Sequence, residues 1–332
     1  MKASVIIPNL NGKGWLEDSI QSILKQTEQD FELIVIDNGS TDESLDIARK
    51  YRSLPNYTLI ENSENTGFSH AVNQGIRASR APFVALFNND AFAEPQWLEN
   101  LLAAAEADPK IFGVQSLMIR HFERTLADDA GDYVNLLAFA AKEGDGRRVE
   151  RYTRQKRIFS ACGGAVLYRR SNLDEIGLFD ENFFAYFEAV DLSWRANNAG
   201  SKNIICPSAK CDHICGATTG AVRYNGFKSI QSGRNSILLP WKNQPLLMLI
   251  LNFIPQALGY ALKRYAFHKQ GFGKEWDQGM HEAFALLKAG KIEKRPFRWK
   301  DLPHYILMEL WMIGNTFRYL WYRLVVVRFD LK

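Results

Sequence analysis

The chain is poor in cysteine, with four in 332 residues, and their spacing is not that of a disulfide-stapled secreted scaffold, so a reducing compartment is expected. The paired C-x-x-C of structural zinc sites is missing too, which weakens a zinc reading of Cys206, Cys211, His213 and Cys215. No G-x-G-x-x-G follows the first strand pattern, which argues against a dehydrogenase. No G-x-x-x-x-G-K-[ST] occurs, which argues against a P-loop kinase. Leu246 to Leu262 is the most apolar stretch of the tail, but Asn252, Pro255, Gln256 and Tyr260 interrupt it. It also falls short of the ~20 residues a spanning helix needs. A strand pattern, Ser4 to Pro8, opens the chain directly, so no signal peptide is expected.

What is present is an ordinary globular composition, 46% hydrophobic and 23% charged, with a formal net charge of +4. That charge is unevenly spread. Residues 240–332 hold 15 Lys+Arg against 7 Asp+Glu, a balance of +8, and the remainder holds 26 against 30, a balance of −4. A basic tail on a slightly acidic body calls for a partner.

Strand and helix patterns alternate through the first hundred residues. Ser4-Val5-Ile6-Ile7-Pro8, Glu32 to Asp37, Tyr57 to Glu61 and Phe83 to Phe87 read as strands. Between them Leu16, Ile20, Ile23 and Leu24, then Leu45 and Ala48, then Phe68, Ala71, Val72 and Ile76 recur at helical spacing. Pro95 starts a further helix carrying Trp97, Leu98, Leu101 and Leu102. Such alternation predicts an α/β fold with a doubly wound, mostly parallel sheet. Its polar strand ends, Pro8-Asn9, Asp37 and Asn88-Asn89-Asp90, should then meet along one edge, where open α/β sheets bind ligands. A turn is the plain alternative for Asn88 to Asp90.

Glu123 to Arg157 is charge-rich with no sustained period and reads as an excursion or flexible flap. Order returns at Phe159 to Tyr168, where paired Gly163 and Gly164 inside a strand signal either close approach by something such as a sugar ring or a bulge. Aromatics then crowd up to Glu188 at the start of a helix that stops at Gly200. That carboxylate is either a general base or a charge complementing the helix dipole. Arg234 reads equally as a diphosphate contact and as a surface charge.

With these residues in place, the chain resembles the family 2 glycosyltransferases, in particular a bacterial rhamnosyltransferase-like branch, over roughly residues 3–240. Four stretches carry the likeness: Ser4 to Gly12; E-L-I-V-I-D-N-G-S-T-D from Glu32 to Asp42; Asn65-Thr66-Gly67-Phe68 with Asn73; and Asn88-Asn89-Asp90. His213 in Cys211-Asp212-His213 adds a fifth. The resemblance implies a GT-A-type domain over 1–240, with a nucleotide-sugar half near 1–118 and an acceptor half near 158–240. It implies that Pro8, Asn9, Asn11, Asn38, Asn65, Gly67, Asn73, Asn88, Asn89, Gly163, Gly164 and Arg234 surround the donor. Asp37 would read the pyrimidine imide, and Asp90 with His213 would hold Mg²⁺ or Mn²⁺. Expected partners are a dTDP- or UDP-sugar donor, with dTDP-rhamnose favoured, and a lipid-linked or polysaccharide acceptor.

One position departs from the pattern. The family usually reads aromatic-Glu-Asp-x-Asp-Leu, its second acid being the base, whereas this chain reads Glu188-Ala189-Val190-Asp191-Leu192. Three explanations compete. Glu188 or Asp191 takes the proton, the chain is a weak or silent nucleotide-sugar-binding relative, or it is an engineered inactive variant. A sugar-phosphate nucleotidyltransferase is a third class, lacking its glycine-rich opening loop here.

In residues 241–332, apolar-aromatic stretches edged by Lys263, Arg264, Lys269, Arg318, Arg323 and Arg328 predict helices lying in an anionic membrane interface, at the cytoplasmic face of a bacterial membrane. A helical subdomain or oligomer interface is the alternative. No recognition motif for nucleic acid accompanies the charge.

Overall fold

The computed structural model describes residues 1–214 and 225–322. The first half of the chain runs β1 (Ala3–Asn9), α1 (Leu16–Leu24), β2 (Phe31–Asn38), α2 (Ser44–Arg49), β3 (Tyr57–Asn62), α3 (Phe68–Ala78), β4 (Phe83–Phe87), β5 (Ala91–Ala93), α4 (Trp97–Glu106) and β6 (Ile111–Arg120). There follow β7 (Ala127–Asp129), β8 (Asp132–Val134), β9 (Ala140–Lys142), β10 (Lys156–Ile158), β11 (Ala165–Arg169), α5 (Arg170–Ile176), α6 (Glu188–Asn198) and β12 (Lys202–His213). The helical remainder is α7 (Gly226–Asn243), α8 (Leu246–Leu251), α9 (Phe253–Lys269), α10 (Gly273–Lys288) and α11 (Leu302–Trp321).

The main sheet runs β10-β12-β6-β11-β4-β1-β2-β3, with β1 parallel to both β2 and β4, and β2 parallel to β3. The apolar runs explain this, because a strand buried on both faces needs a hydrophobic residue at every position. Val5, Ile7, Leu33, Val35, Ala85 and Phe87 pack under α1 and α4; Ile6, Ile34, Ile36, Val84 and Leu86 pack under α3 and α6. The sheet is not parallel throughout. β11 runs antiparallel between β4 and β6.

Residues 123–157 are not a loose flap. β7 pairs antiparallel with β6, and β10 pairs with β12 at the sheet edge. Their charges hide the strand pattern because Asp128 and Asp129 are buried against a lysine from the same segment. Gly163 and Gly164 lie in the turn before β11 rather than inside a strand. A Cβ on Gly163 would meet Phe68, and one on Gly164 would meet Asn88 and Met118, so side chains of the protein itself occupy the space first read as room for a sugar ring.

The chain divides into two compact units. One comprises 1–132, 142–196 and 201–222; the other comprises 133–141, 197–200 and 223–332. The division thus falls before α7 rather than at residue 240, because α7 packs on α10. The second unit is helical, its core built on Trp276 stacked on Phe267 at 4.6 Å, with Leu238, Leu239, Met308 and Met312 buried around it.

Candidate active site

β1, β2 and β4 run in one direction, so Asn9, Asp37 and Asn88 share the same edge. The Asn9 amide ties the edge together. Its Nδ2 donates to Asp37 Oδ1 at 2.8 Å and Ser44 Oγ at 2.9 Å, and its Oδ1 accepts from Asn89 Nδ2 at 2.8 Å. A Cβ on Gly12 would stand 2.3 Å from Asn9 Oδ1 and 2.5 Å from Asn89 Nδ2, so only glycine leaves this bridge intact. Asp37 is 1% exposed, and its other oxygen accepts from the Ser40 amide at 3.0 Å. Asp37 therefore braces the strand ends. A carboxylate ending a central strand is buried, and burial demands internal partners. Pro8 is half-buried in β1, and Asn11 stays exposed at a φ of 53°, with its Oδ1 on the Thr41 amide at 2.8 Å.

Four further donor-site candidates have a different job. Asn38 is buried, accepting from Thr66 Oγ1 at 2.8 Å and donating to Asn65 Oδ1 at 3.1 Å. Asn65 in turn accepts from the Gly67 amide at 3.0 Å. Gly67, at a φ of 86°, leaves no room for a side chain, since a Cβ would sit 2.7 Å from the Phe184 ring. Beyond it the Phe68 amide donates to Phe184 O at 2.8 Å, and Asn73 Nδ2 donates to Phe179 O at 2.8 Å and Glu181 Oε1 at 2.9 Å. The motif from Asn65 to Asn73 is a clasp for the aromatic segment 179–187. Through these bonds Asn38, Asn65, Gly67 and Asn73 position the aromatic segment, with Asn65 also exposed.

Asp90 and His213 do meet. β5 pairs antiparallel with the end of β12, Ala91 opposite His213, which sets Asp90 Oδ1 3.2 Å from His213 Nε2. His213 Nδ1 lies 2.9 Å from Asp128 Oδ2, and Asn88 Nδ2 lies 3.2 Å from Nε2. Nδ1 thus faces a carboxylate acceptor, while Nε2 faces both the Asn88 amide and the Asp90 carboxylate. Two donor atoms at this separation fit one hard divalent ion, whose ~2.1 Å bonds at right angles put neighbouring ligands about 3 Å apart. Among the described residues no three His, Cys, Asp or Glu side chains converge on such a position.

Behind this pair lies a cluster the sequence pattern hid. Lys142 Nζ stands 3.1 Å from Asp128 Oδ2 and 3.6 Å from Asp129 Oδ2. Burial alone would lower the Lys142 ammonium, but Asp129 and Asp128 reverse that and hold it well above its ordinary value. Burial pushes the Asp129 carboxyl up and Asp132 further, with the Asp129 charge adding to Asp132. The signal lay in A-D-D-A-G-D, where small apolar residues interleave carboxylates in a way a solvated charge run does not require.

Glu188 opens α6 directly after Tyr186 and Phe187, whose φ angles of 65° and 68° are uncommon for aromatic residues. Its Oε2 is buried without a hydrogen-bond partner. Burial pushes its carboxyl up to about 7, with the Asp191 charge adding and a backbone hydrogen bond opposing. Ala189 is buried among Val166, Leu192 and Ala196. Asp191 is fully buried, with Oδ2 2.9 Å from Arg195 Nε; that guanidinium also donates to the carbonyls of Ile176, Gly177 and Leu178. Asp191 is thus paired with Arg195, whereas Glu188 keeps one oxygen without a hydrogen-bond partner.

A family model, "Glycosyl transferase family 2", matches residues 4–177. The chain belongs to that family. This family 2 chain is 29% identical over 228 residues to an N-acetylglucosaminyl-diphospho-decaprenol L-rhamnosyltransferase of Mycobacterium tuberculosis, covering 62% of this chain and 73% of that one. It is 23% identical over 184 residues to a glucosyl-dolichyl phosphate glucuronosyltransferase of Haloferax volcanii, covering 55% and 57%. Several of its curated relatives are matched over only 30% to 57% of their length. Among solved structures it shares its fold with GalNAc-T7, bound to UDP, GalNAc and Mn²⁺ (TM-score 0.60, 18% identity, 73% of this chain and 48% of that one). It also shares it with a Pyrobaculum calidifontis mannosyltransferase bound to GDP-Man and Mn²⁺ (TM-score 0.52, 17% identity, 96% and 87%).

The remaining candidates are Arg234 and the cysteines of the proposed zinc reading. Arg234 belongs to the helical unit, where it donates to Asn235 Oδ1 and Gln231 Oε1 and faces Glu282 at 3.7 Å. Cys206 is buried with its thiol 3.2 Å from Ser208 Oγ, and Cys211 is buried with its thiol pushed up by burial. Cys215 lies outside the described residues.

Proposed function

We propose that the chain is an inverting glycosyltransferase that moves a sugar from a nucleotide-diphosphate donor to an acceptor hydroxyl, with Glu188 as general base. The observation that carries this is the meeting of Asp90 and His213 at 3.2 Å on the ligand-binding edge of a family 2 domain. These two residues would hold Mg²⁺ or Mn²⁺, which supplies positive charge against the departing diphosphate. Asn88 and Asp128 fix the ring of His213, and Asn9, Asn89 and Asp37 hold the strand ends that carry them. Burial keeps the Glu188 carboxyl near 7, poised to accept a proton at neutral pH.

The rhamnosyltransferase relative supports dTDP-rhamnose as donor, UDP-sugars being next, and its decaprenol-linked acceptor supports a lipid-linked acceptor here. The catalytically silent reading rests on Ala189; the unpartnered, buried Glu188 oxygen supports the active reading instead. The test is transfer or donor hydrolysis across a panel of dTDP- and UDP-sugars with Mn²⁺ and with chelator. Metal-dependent turnover of one donor is expected. No turnover of any donor, or pyrophosphate release from a nucleoside triphosphate, would end the proposal.

A second measurement separates the metal from the chemistry. Asp128 should orient His213 as carboxylates orient ligating histidines, so Asp128→Asn is expected to weaken Mn²⁺ binding by about 10–100-fold. Calorimetry, or the spectrum of free Mn²⁺, reads this without turnover. Unchanged affinity would show that His213 does not ligate.

A further inference from the structure

One side of the helical unit is turned inside out. At the N-cap of α9 and along it, polar side chains turn inward. Asn252 and Gln256 are 3% and 7% exposed, with Asn252 Nδ2 on Glu309 Oε2 at 2.9 Å and Gln256 Nε2 on Gln244 Oε1 at 2.8 Å. Lys263 sends its ammonium inward as well, to Ser236 Oγ at 2.8 Å and over the Phe139 ring at 4.8 Å. Desolvation drops it to about 7. On α11 Asn315 is buried with Nδ2 on Val134 O at 2.8 Å. The outer faces are the reverse. Leu247 and Ile250 on α8, Ile254 and Leu258 on α9, and Leu310 and Phe317 on α11 are between 55% and 78% exposed.

A soluble surface helix puts its apolar stripe toward the core and its polar face toward water. Here the arrangement is inverted along α9, while α8 and α11 of the same compact unit add exposed apolar faces. Scattered surface hydrophobics do not account for it, and exposed apolar faces of this kind mark interaction sites. Among the described residues no helix is long and apolar enough to cross a membrane. Residues 240–332 carry a charge of +8, from 15 basic and 7 acidic residues, and Lys269, Lys274, Lys288 and Lys300 are exposed. Two copies meeting through this region would bring like charges together, whereas anionic headgroups complement them.

We infer that the outer faces of α8, α9 and α11 form a docking surface for an anionic lipid bilayer, entered to headgroup depth without spanning. Apolar side chains supply the insertion and the lysines supply the preference for negative charge. The surface is independent of the transfer chemistry, so either conclusion can fail alone.

The test uses the full chain and vesicles of phosphatidylcholine, alone or with phosphatidylglycerol. The chain should co-sediment with the mixed vesicles, less with the neutral ones, and less again as salt rises. Tryptophan emission should shift to shorter wavelength on binding. Ile254→Glu and Leu310→Glu change exposed positions, so folding should persist by circular dichroism. Each should weaken vesicle binding about tenfold or more, from the ~1.5–3 kcal/mol of burying such a side chain. A chain that stays in the supernatant with both vesicles overturns the inference. So does a stable dimer, seen by light scattering and broken by the same two substitutions, because a second copy would then cover the face.

Discussion

Glu188→Gln is expected to lower sugar transfer by ~10²–10⁴-fold, the usual cost of losing a general base, while leaving donor and Mn²⁺ affinity near those of the parent. Glutamine keeps the shape but cannot take the proton. The pH profile should report the same group. The parent's rate should rise as pH climbs through about 7, where the carboxyl ionises, and the residual rate of Glu188→Gln should lose that limb. Stability gives an independent check with the opposite sign. The folded-state value lies above the ordinary carboxylate value of 4.5. The folded state therefore binds the proton more tightly than the unfolded one, and stability falls as pH rises from about 4.5 through about 7. Glu188→Gln removes that loss, so it should melt higher than the parent at pH 8 while being nearly inactive. A variant that keeps both the parent's rate and its pH-dependent stability would mean that Glu188 is solvated and that another group moves the proton.

Ala189→Asp sharpens this reading. The family pattern puts the base at this position, but here the side chain sits in an apolar cluster. An added carboxylate would be buried beside Glu188 and Asp191, raising the cost of ionising any of them. With Glu188 as base, Ala189→Asp should not raise turnover. A hundredfold gain would return the base to position 189.

What the sequence revealed and concealed follows from where side chains find their partners. β1, β2 and β4 are legible because strands covered on both faces must be apolar throughout, and Ile6, Val35 and Leu86 leave no other reading. Asp90 and His213, far apart in the chain, come together through a β5–β12 pairing that no local pattern announces; only the family resemblance joined them. Asn38 and Asn73 were recognisable as motif residues, yet an amide beside a loop reads equally as ligand or brace until its partners are known. Asp128 and Asp129 were hidden because a charge-rich stretch looks solvated, and they are buried with the half-exposed Lys142 ammonium against them as counter-charge. Asn252 and Gln256 read in the sequence as interruptions of an apolar run and Lys263 as part of its basic edge; at the start of α9 and along it all three in fact turn inward.

One signal was local and still passed over. Asp191 and Arg195 stand four apart on α6, the spacing at which opposite charges meet on a helix. The side chains are 0% and 8% exposed, so water contributes little to either. Arg195 also takes the carbonyls of Ile176 and Gly177 at the end of α5 and of Leu178 beyond it, fixing the entry to the segment that leads to Glu188. Asp191→Ala would leave that guanidinium buried without its counter-charge, a loss of about 3–5 kcal/mol, read as a drop on the order of 10 °C in melting temperature at this size. Replacing both partners, Asp191→Leu with Arg195→Met, should recover much of it, since a well-packed apolar pair removes the unpaired charge. Turnover per folded molecule decides the role. If Asp191 only braces α6, Asp191→Asn keeps the rate and its pH limb near 7 at a temperature where it is folded. If the rate falls by the ~10²-fold or more of a lost base with the fold intact, Asp191 moves the proton and Glu188 does not.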